Sequence, residues 1–369
     1  MKHPRRTSKR ASNWLSRCIE LVRRFDLRRL ITIIAERDWL LMKYDIALVG
    51  CGAIAQLFYL PALARNRSKF GDIWLVDPND RALALATATV SGNPAQSYSE
   101  VPNDVPLVVV ATPNKFHIPL ALEALARNAN VLIEKPFATS PEEGRNLIET
   151  AEKGGRVVAV NQTRRFMPYM RDLRRRVEDK EFGPLESIVH HEGYKLSWPF
   201  ESGAAFHKTA ERTGVIMDFG VHVIDFYEYL FHPSWKLVSA IHDGFMGPEG
   251  LAEILLEANG VPLSMRLSRY QKQSNVALLF FQKAKVAINL DALNTYTIQD
   301  ISGSTHHVTA SSPVDSYNAL ADEVLDNFVA AAAGQASLIC PASSSLPVIE
   351  ILDEIYLSAQ KYPETIGAV

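Results

Sequence analysis

The stretch Ile46-Ala-Leu-Val49-Gly50-Cys51-Gly52-Ala53-Ile54-Ala55 decides how this chain folds. A short apolar strand leads into glycines that fit the pattern G-x-G-x-x-A, and a helical stretch follows to about Arg65. The first glycine of this pattern permits a tight turn, the second lets the backbone approach a pyrophosphate, and the small last residue brings helix and strand together. Free N–H groups at the helix start bind the phosphates. We therefore expect a dinucleotide to bind at Gly50, Cys51, Gly52, Ala53, Ile54 and Ala55.

An acidic residue follows the next predicted strand. Asp77 comes directly after the apolar run Ile73–Val76. A carboxylate at this position accepts hydrogen bonds from the ribose hydroxyls and repels a 2′-phosphate, so Asp77 favours NAD over NADP. Arg81 is close in sequence and keeps NADP open as the cofactor. A plain turn at Asp77-Pro-Asn-Asp is the alternative explanation.

Apolar runs of strand length alternate with helical stretches from Met42 to about Gln162. The predicted strands are residues 46–49, 73–76, 107–111, 130–133 and 157–160, with helices between them. Parallel strands need crossover helices, so this order predicts a doubly wound parallel sheet of the Rossmann type.

The second half of the chain has a different pattern. A strand at Leu185–His191 and a long apolar helix at residues 214–230 precede tandem strands within residues 236–309, and helices at 317–333 and 346–360 follow. Strands in tandem form an antiparallel sheet. The predicted fold class is α/β, with an N-terminal Rossmann domain and a C-terminal α+β domain built on an open, mostly antiparallel sheet. The predicted boundaries are 1–41 for an extension, 42–162 and 163–369.

The net charge of −2 conceals a strong asymmetry along the chain. Residues 1–43 hold twelve Lys and Arg against four Asp and Glu, a net of +8, and the remainder holds 27 against 37, a net of −10. Residues 1–41 are predicted to be a basic extension, partly helical or disordered. Three interpretations of it stay open: a segment upstream of a natural start near Met42, an amphipathic helix on the acidic body or an anionic surface, or a transit peptide. We expect no nucleic-acid partner.

Composition excludes several other classes of protein. The three cysteines have no paired spacing, so we expect neither disulfides nor a zinc site, and a reducing, cytoplasmic location. No run of 18 strongly apolar residues exists, which argues against a membrane span. The pairs His190-His191 and His306-His307 do not predict a metal site, because adjacent residues on a strand point to opposite faces.

Several further motifs together resemble a known family. Thr112-Pro-Asn-Lys-Phe-His117 and Glu134-Lys135-Pro136 follow two of the predicted strands, and Gly214…Asp218-x-Gly220-x-His222-x-x-Asp225 lies in the long apolar helix. With the glycine turn, Arg165-Phe-Met-Pro and Ile355-Tyr-Leu-Ser-Ala, they make the chain from Met42 to about Gln360 similar to the Gfo/Idh/MocA family of glucose–fructose oxidoreductase and inositol dehydrogenase. The resemblance implies an NAD(P)-dependent dehydrogenase or reductase acting on the CH–OH group of a sugar, sugar derivative or cyclitol. It also implies a homodimer or homotetramer formed through the C-terminal sheet.

Three residues are the catalytic candidates. Lys135, at the carboxyl edge of the parallel sheet, is suited to stabilising a developing alkoxide. The helix at 214–230 is apolar nearly all round and therefore buried, yet it carries Asp218 and His222 at helical i, i+4 spacing. Burial of such groups costs several kcal/mol unless they are paired. We expect His222 to act as general base and Asp218 to bind a substrate hydroxyl or orient the imidazole; a purely structural Asp–His hydrogen bond is the alternative.

The remaining candidates border the same edge of the sheet. On the cofactor side the resemblance implies Thr112, Pro113, Asn114, His117 and Glu134, although His117 also fits a helix-start residue satisfied locally. Glu134 is a candidate for orienting Lys135. On the substrate side we expect an arginine to clasp an anionic group and an aromatic ring to stack on a pyranose. The substrate-side candidates are Arg165, Tyr194, Trp198 and His207, with Arg164 beside them, and ordinary loop roles for Tyr194 and His207 stay open.

Two other functions remain open at this point. One is an NAD-dependent glycosidase that oxidises its substrate transiently, and the other is a non-catalytic dinucleotide-binding regulator. The substrate itself is not defined, because Arg212-Thr213-Gly214 stands where many members of the family have a glycine triplet.

Overall fold

The apolar run before Gly50 forms a central strand of a parallel sheet. β1 (Tyr44–Val49) pairs with β2 (Phe70–Val76) on one side and β4 (Leu107–Val110) on the other. The structure is a computed structural model that describes residues 43–195, 212–244 and 248–362. With β3 (Asn93–Ala95), β5 (Asn130–Ile133) and β6 (Val158–Val160) the sheet has the order β3-β2-β1-β4-β5-β6. This is the Rossmann order, and it confirms the predicted fold of the first domain.

Helices cover both faces of the parallel sheet. They are α1 (Leu60–Arg65), α2 (Asp80–Thr89), α3 (His117–Ala126) and α4 (Pro141–Gly154). Their ends carry the expected signals: the Asn79 side chain accepts two backbone N–H groups at the start of α2, and Gly155 ends α4 at φ 61°. One difference from the prediction is a π-helical turn at Ala55–Tyr59, which stands between the glycine turn and α1.

The second sheet has nine strands in the order β14-β13-β12-β11-β7-β10-β9-β8-β15. Neighbours are antiparallel except for β7 with β10 and β8 with β15, which confirms the mostly antiparallel prediction. The strands are β7 (Leu185–Gly193), β8 (Trp235–His242), β9 (Leu251–Ala258), β10 (Val261–Ser268), β11 (Val276–Phe281), β12 (Ala284–Asn289), β13 (Thr295–Asp300), β14 (Thr305–Thr309) and β15 (Gln360–Lys361). The Asn259-Gly260 turn between β9 and β10 has φ of 54° and 80°, the backbone that a two-residue hairpin requires.

Four helices complete the described chain: α5 (Pro168–Glu178), α6 (Val221–Phe231), α7 (Tyr317–Ala332) and α8 (Ala342–Ser358). The predicted single helix at 214–230 is a π-helical turn at Ile216–Gly220 followed by α6. α8 begins four residues earlier than predicted, with Pro341 just before its first turn. Of the helices in the described ranges, none is long and apolar enough to cross a membrane.

The last helix belongs to both halves of the molecule. The Val160 N–H donates to the Cys340 carbonyl at 2.9 Å, which joins the start of α8 to the edge of the parallel sheet. Ala342 and Ile349 pack in the Rossmann core, whereas Leu352 and Ile355 pack in the core shared with the second sheet. The two domains therefore have a common apolar interior.

Candidate active site

The glycine turn leaves open space where a dinucleotide would lie. Gly50 has φ 98°, and a Cβ there would collide with the carbonyl oxygen of Ala111. Its N–H donates to the Val76 carbonyl at 2.8 Å, which ties the turn to β2. A Cβ on Gly52 would meet nothing within 4 Å. The turn is thus tight at its first glycine and open at its second, as a bound pyrophosphate requires.

Asp77 is fixed beside this turn. Its Oδ2 accepts the Cys51 N–H at 2.8 Å, and its Oδ1 accepts the Asn79 N–H at 2.8 Å. Each carboxylate oxygen has two lone pairs, so each keeps one for a ribose hydroxyl. The glycine turn and Asp77 together fit a dinucleotide.

His117 joins two of the predicted motifs from inside the protein. The ring is 1% exposed; Nδ1 lies 2.8 Å from the Pro136 carbonyl oxygen, and Nε2 lies 2.7 Å from that of Thr112. Burial lowers the pKa of this imidazole, although both carbonyls oppose the shift. The Lys135–Pro136 peptide is cis. Both ring nitrogens are directed at protein carbonyls, so His117 fits the alternative of a locally satisfied residue better than a cofactor contact.

Glu134 anchors the same loop to the protein core. Its Oε1 accepts hydrogen bonds from Tyr59 at 2.7 Å and from the Asn161 amide at 2.6 Å, and its Oε2 accepts the Lys135 N–H at 3.2 Å. The carboxylate is buried. Glu134 contacts Lys135 through the backbone, which leaves the ammonium group for another partner.

The partner of the Lys135 ammonium group is Asp218, which lies on the other domain. The Lys135 Nζ donates to Asp218 Oδ1 at 2.8 Å and to the Asp218 carbonyl at 3.1 Å. The second carboxylate oxygen, Oδ2, accepts from Arg269 Nη2 at 3.0 Å. Burial alone would raise the pKa of Asp218, but the two cations outweigh it and hold this pKa far below its usual range. The Asp218 carboxylate therefore bridges two cations, with one at each of its oxygens.

His222 lies one helical turn after Asp218 and has no ion pair like the one between Asp218 and Lys135. Its Nδ1 is buried and has no hydrogen-bond partner among the described residues. Burial lowers the pKa of the imidazole well below 6.5, and Lys135 and Arg164 lower it further. Asp218 forms no hydrogen bond with His222, so the structure shows neither an imidazole oriented by Asp218 nor the alternative of a structural Asp–His hydrogen bond. Asp218 lies in a π-helical turn and His222 in α6, so the α-helical spacing assumed from sequence does not hold between them.

A second ion pair lies near His222. Arg164 and Glu192 form two parallel hydrogen bonds, and the Glu192 carboxylate is 2% exposed. Behind it, His190 bridges Glu192 at 3.2 Å and the Tyr227 hydroxyl at 2.9 Å. Burial would raise the pKa of Glu192, but Arg164 and His190 lower it well below its usual range. Arg164 is therefore held in place rather than free to move.

The prediction that Arg165 binds the substrate requires a correction. Its guanidinium binds both oxygens of Asp225, at 2.6 and 3.0 Å, and donates to the Ser344 hydroxyl at 2.7 Å. The side chain is 2% exposed. A buried guanidinium whose donors are engaged presents no surface to a substrate. Arg165 is a core residue that joins α6 to α8, and Arg164 is the arginine that lies beside the site.

Tyr194 borders the site, but its hydroxyl is engaged. The ring packs edge-on against Phe219, in the π-helical turn next to Asp218, with ring centroids 6.0 Å apart. Its hydroxyl donates to Asp291 at 2.8 Å, and burial together with this carboxylate raises the pKa of the phenol. Trp198 and His207 lie outside the described residues, as does the predicted extension at residues 1–41.

Glu249, which was not among the residues predicted from sequence, supports the π-helical turn. Its Oε1 accepts the Ile216 N–H at 3.1 Å and the Tyr356 hydroxyl at 2.7 Å. The carboxyl group lies directly against Gly214, where a Cβ would overlap it. This close approach explains why glycine stands at 214 in the Arg212-Thr213-Gly214 segment. Within the described ranges, no three His, Cys, Asp or Glu side chains are grouped to hold a metal ion.

Comparison with known families agrees with this geometry. Residues 44–162 match the model described as oxidoreductase family, NAD-binding Rossmann fold, and residues 170–287 match the GFO/IDH/MocA C-terminal domain. The chain belongs to the Gfo/Idh/MocA family. The predicted family and the predicted NAD-binding domain are thereby confirmed, and Lys135 and Asp218 connect the two matched regions of this Gfo/Idh/MocA protein.

Individual relatives match over about half of their own length. D-glucoside 3-dehydrogenase of Escherichia coli is 28% identical over 204 residues, which are 53% of this chain and 56% of the relative. Glucose-6-phosphate 3-dehydrogenase of Bacillus subtilis is 27% identical over 198 residues, which are 52% and 54%.

Two solved structures share the fold of this Gfo/Idh/MocA protein. A 3-ketoreductase from Actinomadura kijaniata, solved with NADP, superimposes with a TM-score of 0.75 at 17% identity, covering 87% of this chain and 100% of the other. A UDP-N-acetylglucosamine 3-dehydrogenase from Acidithiobacillus ferrooxidans gives 0.72 at 19% identity, covering 86% and 98%.

Proposed function

We propose that this protein is an NAD(P)-dependent oxidoreductase acting on a hydroxyl or keto group of a sugar, sugar derivative or cyclitol. The observation that carries the proposal is the ion pair of Lys135 and Asp218 beside a neutral His222, at the sheet edge that also holds the glycine turn. The names of the relatives, which are dehydrogenases and reductases of sugars, agree with it.

Lys135 stabilises the charge that develops on the substrate oxygen. The bound nicotinamide cofactor supplies the hydride acceptor for oxidation and the donor for reduction. In oxidation the hydroxyl oxygen loses its proton as the carbon loses hydride. The Lys135 ammonium donates a hydrogen bond to that oxygen, and its charge stabilises the alkoxide character of the transition state. Asp218 fixes the position of Nζ for this contact.

His222 takes the proton. Its pKa lies well below 6.5, so the imidazole is neutral near pH 7 and has a lone pair available. Nδ1 is enclosed, and we therefore assign the transfer to Nε2. The substrate proton moves to Nε2 in oxidation and returns from it in reduction.

Asp77 supports NAD as the preferred cofactor. Its carboxylate is fixed by two backbone N–H groups beside the glycine turn, where a 2′-phosphate would meet its negative charge. NADP binding would require Arg81 or another cation to compensate that charge.

We also propose that the outer face of the nine-stranded sheet is a contact between identical subunits. Val189 on β7 and Leu278 on β11 lie directly opposite each other and are both partly exposed, and Phe280 on β11 and Leu255 on β9 are partly exposed too. Light scattering of the Leu278→Glu variant tests this: we expect a dimer or tetramer to become a monomer, and an unchanged mass would contradict it.

A substrate panel tests the main proposal. Sugars, uronates, nucleotide-linked sugars and inositols are each offered with NAD or NADP, and the absorbance of the reduced nicotinamide is followed. We expect turnover of at least one of these substrates. Lys135→Met and His222→Asn should abolish it, whereas Lys153→Met, at an exposed lysine of α4, should leave it unchanged. Dinucleotide binding without turnover of any substrate would contradict the proposal.

No observation favours either of the other two functions. A glycosidase would release sugar in the same panel with no net reduced nicotinamide, and a regulator would bind the dinucleotide without either product. Each outcome is distinct from that of a dehydrogenase.

A further inference from the structure

Arg269 holds the oxygen of Asp218 that Lys135 leaves free. It follows β10 directly, and its backbone N–H donates to the Gly250 carbonyl at 2.8 Å. The side chain is 11% exposed, and Nη2 lies 3.0 Å from Asp218 Oδ2. Its Nε is buried without a hydrogen-bond partner among the described residues, so the contact with Asp218 is the ion pair that fixes the guanidinium.

We propose that Arg269 is a positioning residue: it fixes the Asp218 carboxylate so that Oδ1 faces Lys135. The catalytic meaning of this inference rests on the proposed function. The structural content does not, because it concerns only side chains of this chain.

The positioning argument starts from the flexibility of lysine. A lysine ammonium is a point charge on a stem with four carbons, and it does not define the orientation of its partner. A carboxylate held at one oxygen by such a group rotates about its own Cβ–Cγ bond. Arg269 binds the second oxygen from a different strand, so the carboxylate of Asp218 is fixed at both ends. Lys135 then points at a defined position, which is the preorganisation that transition-state stabilisation requires.

Two neutral substitutions test the inference without turnover. In Arg269→Met and Arg269→Gln, the mobility of the Lys135 ammonium group is measured by ¹⁵N relaxation, and Lys135→Met assigns its signal. We expect a lower order parameter for this group, because the Asp218 carboxylate that holds it is then fixed at one oxygen only. Arg269→Lys retains a charged donor for Oδ2 and should stay near the wild type. Arg266→Met, three residues earlier on β10 and 45% exposed, is the matched control. An unchanged order parameter in both neutral variants overturns the proposal.

Kinetics test the positioning role once a substrate is known. We expect Arg269→Met to lower kcat about ten- to a hundredfold with little change in KM. In the Asp218→Asn background the same substitution should cause almost no further loss. A full additional loss there would show that Arg269 acts on the substrate directly and would overturn the proposal. The relaxation measurement stands even if no turnover is found, so the two failures are distinguishable.

Discussion

Nζ of Lys135 and Oδ1 of Asp218 lie 2.8 Å apart, although 83 positions separate the two residues in the chain. Lys135 follows β5 of the parallel sheet, whereas Asp218 belongs to the π-helical turn before α6. Their side chains are 17% and 29% exposed, so the pair is partly shielded from water but open to a ligand. The candidate site therefore exists only when both domains are folded against each other.

Lys135 and Asp218 should behave as one unit in kinetics. Lys135→Met removes the charge that stabilises the alkoxide, and Asp218→Asn releases the ammonium from its position. We expect each to lower kcat by about 10²- to 10³-fold, and the double variant to be little worse than either single one. Steady-state rates with the substrate from the panel measure this. Losses that multiply in the double variant would mean that the two residues act independently.

Asp77 should set the cofactor preference. Asp77→Ser removes a carboxylate that the ribose hydroxyls would contact and that would repel a 2′-phosphate. We expect about tenfold weaker binding of NADH and tighter binding of NADPH, measured by nicotinamide fluorescence. Asp104→Ser, at an exposed loop position, should change neither affinity. Equal weakening of both cofactors would indicate that Asp77 only shapes the turn.

Arg165 should matter for stability rather than for substrate. Arg165→Met leaves Asp225 buried without its partner, and breaking a buried pair in this way costs about 3–5 kcal/mol. Urea unfolding should show that loss, and the Arg165→Met/Asp225→Leu double variant should recover much of it. An unchanged stability together with a raised KM would restore the original expectation that Arg165 binds substrate.

Buried histidines should make the fold sensitive to mild acid. Burial lowers the pKa of His117, His190 and His222. Each binds its proton in the unfolded chain at about pH 6.5 but remains neutral in the folded protein until a lower pH. The unfolded state thus binds more protons, and stability falls as the pH drops below about 6.5. We expect the Tm to decrease steadily from pH 7 towards pH 5.

A single-site variant checks the origin of this slope. His190→Gln removes one of the three titrating groups, so it should flatten the dependence of unfolding free energy on pH. His306→Gln, at an exposed position on β14, should leave the slope as it is. Equal slopes in the wild type and both variants would place the acid sensitivity elsewhere, for example in the paired carboxylates Asp218 and Glu192.

The sequence predicted the first domain well because its signals are local. The continuous apolar runs, the glycine turn and the helix caps each depend on neighbouring residues, and the observed strands lie within a few residues of the predicted ones. The three-residue strand β3 is the exception. It contains Pro94 and carries too few apolar residues to stand out.

The site was harder to predict because its contacts join distant segments. The sequence brought together Lys135, Asp218 and His222, but the π-helical turn that changes the Asp218–His222 relationship has no simple sequence signature. Glu192 did have a signal, since it shares the inward-facing register of Ile188 on β7. Arg269 had none: it stands in a polar stretch after a strand, and its partner comes 51 residues earlier.

The packing of α8 also bears on the order in which the protein is made. The parallel sheet is translated by residue 160, but the backbone that pairs with its edge arrives only at Cys340, and two of its core residues, Ala342 and Ile349, arrive later still. A nascent chain that ends before α8 leaves apolar surface of the nucleotide-binding half uncovered, which is a hazard for aggregation on the ribosome. We expect the first half to complete its folding only near the end of synthesis, so that this half does not form a separate module that can be cut from the gene and expressed alone.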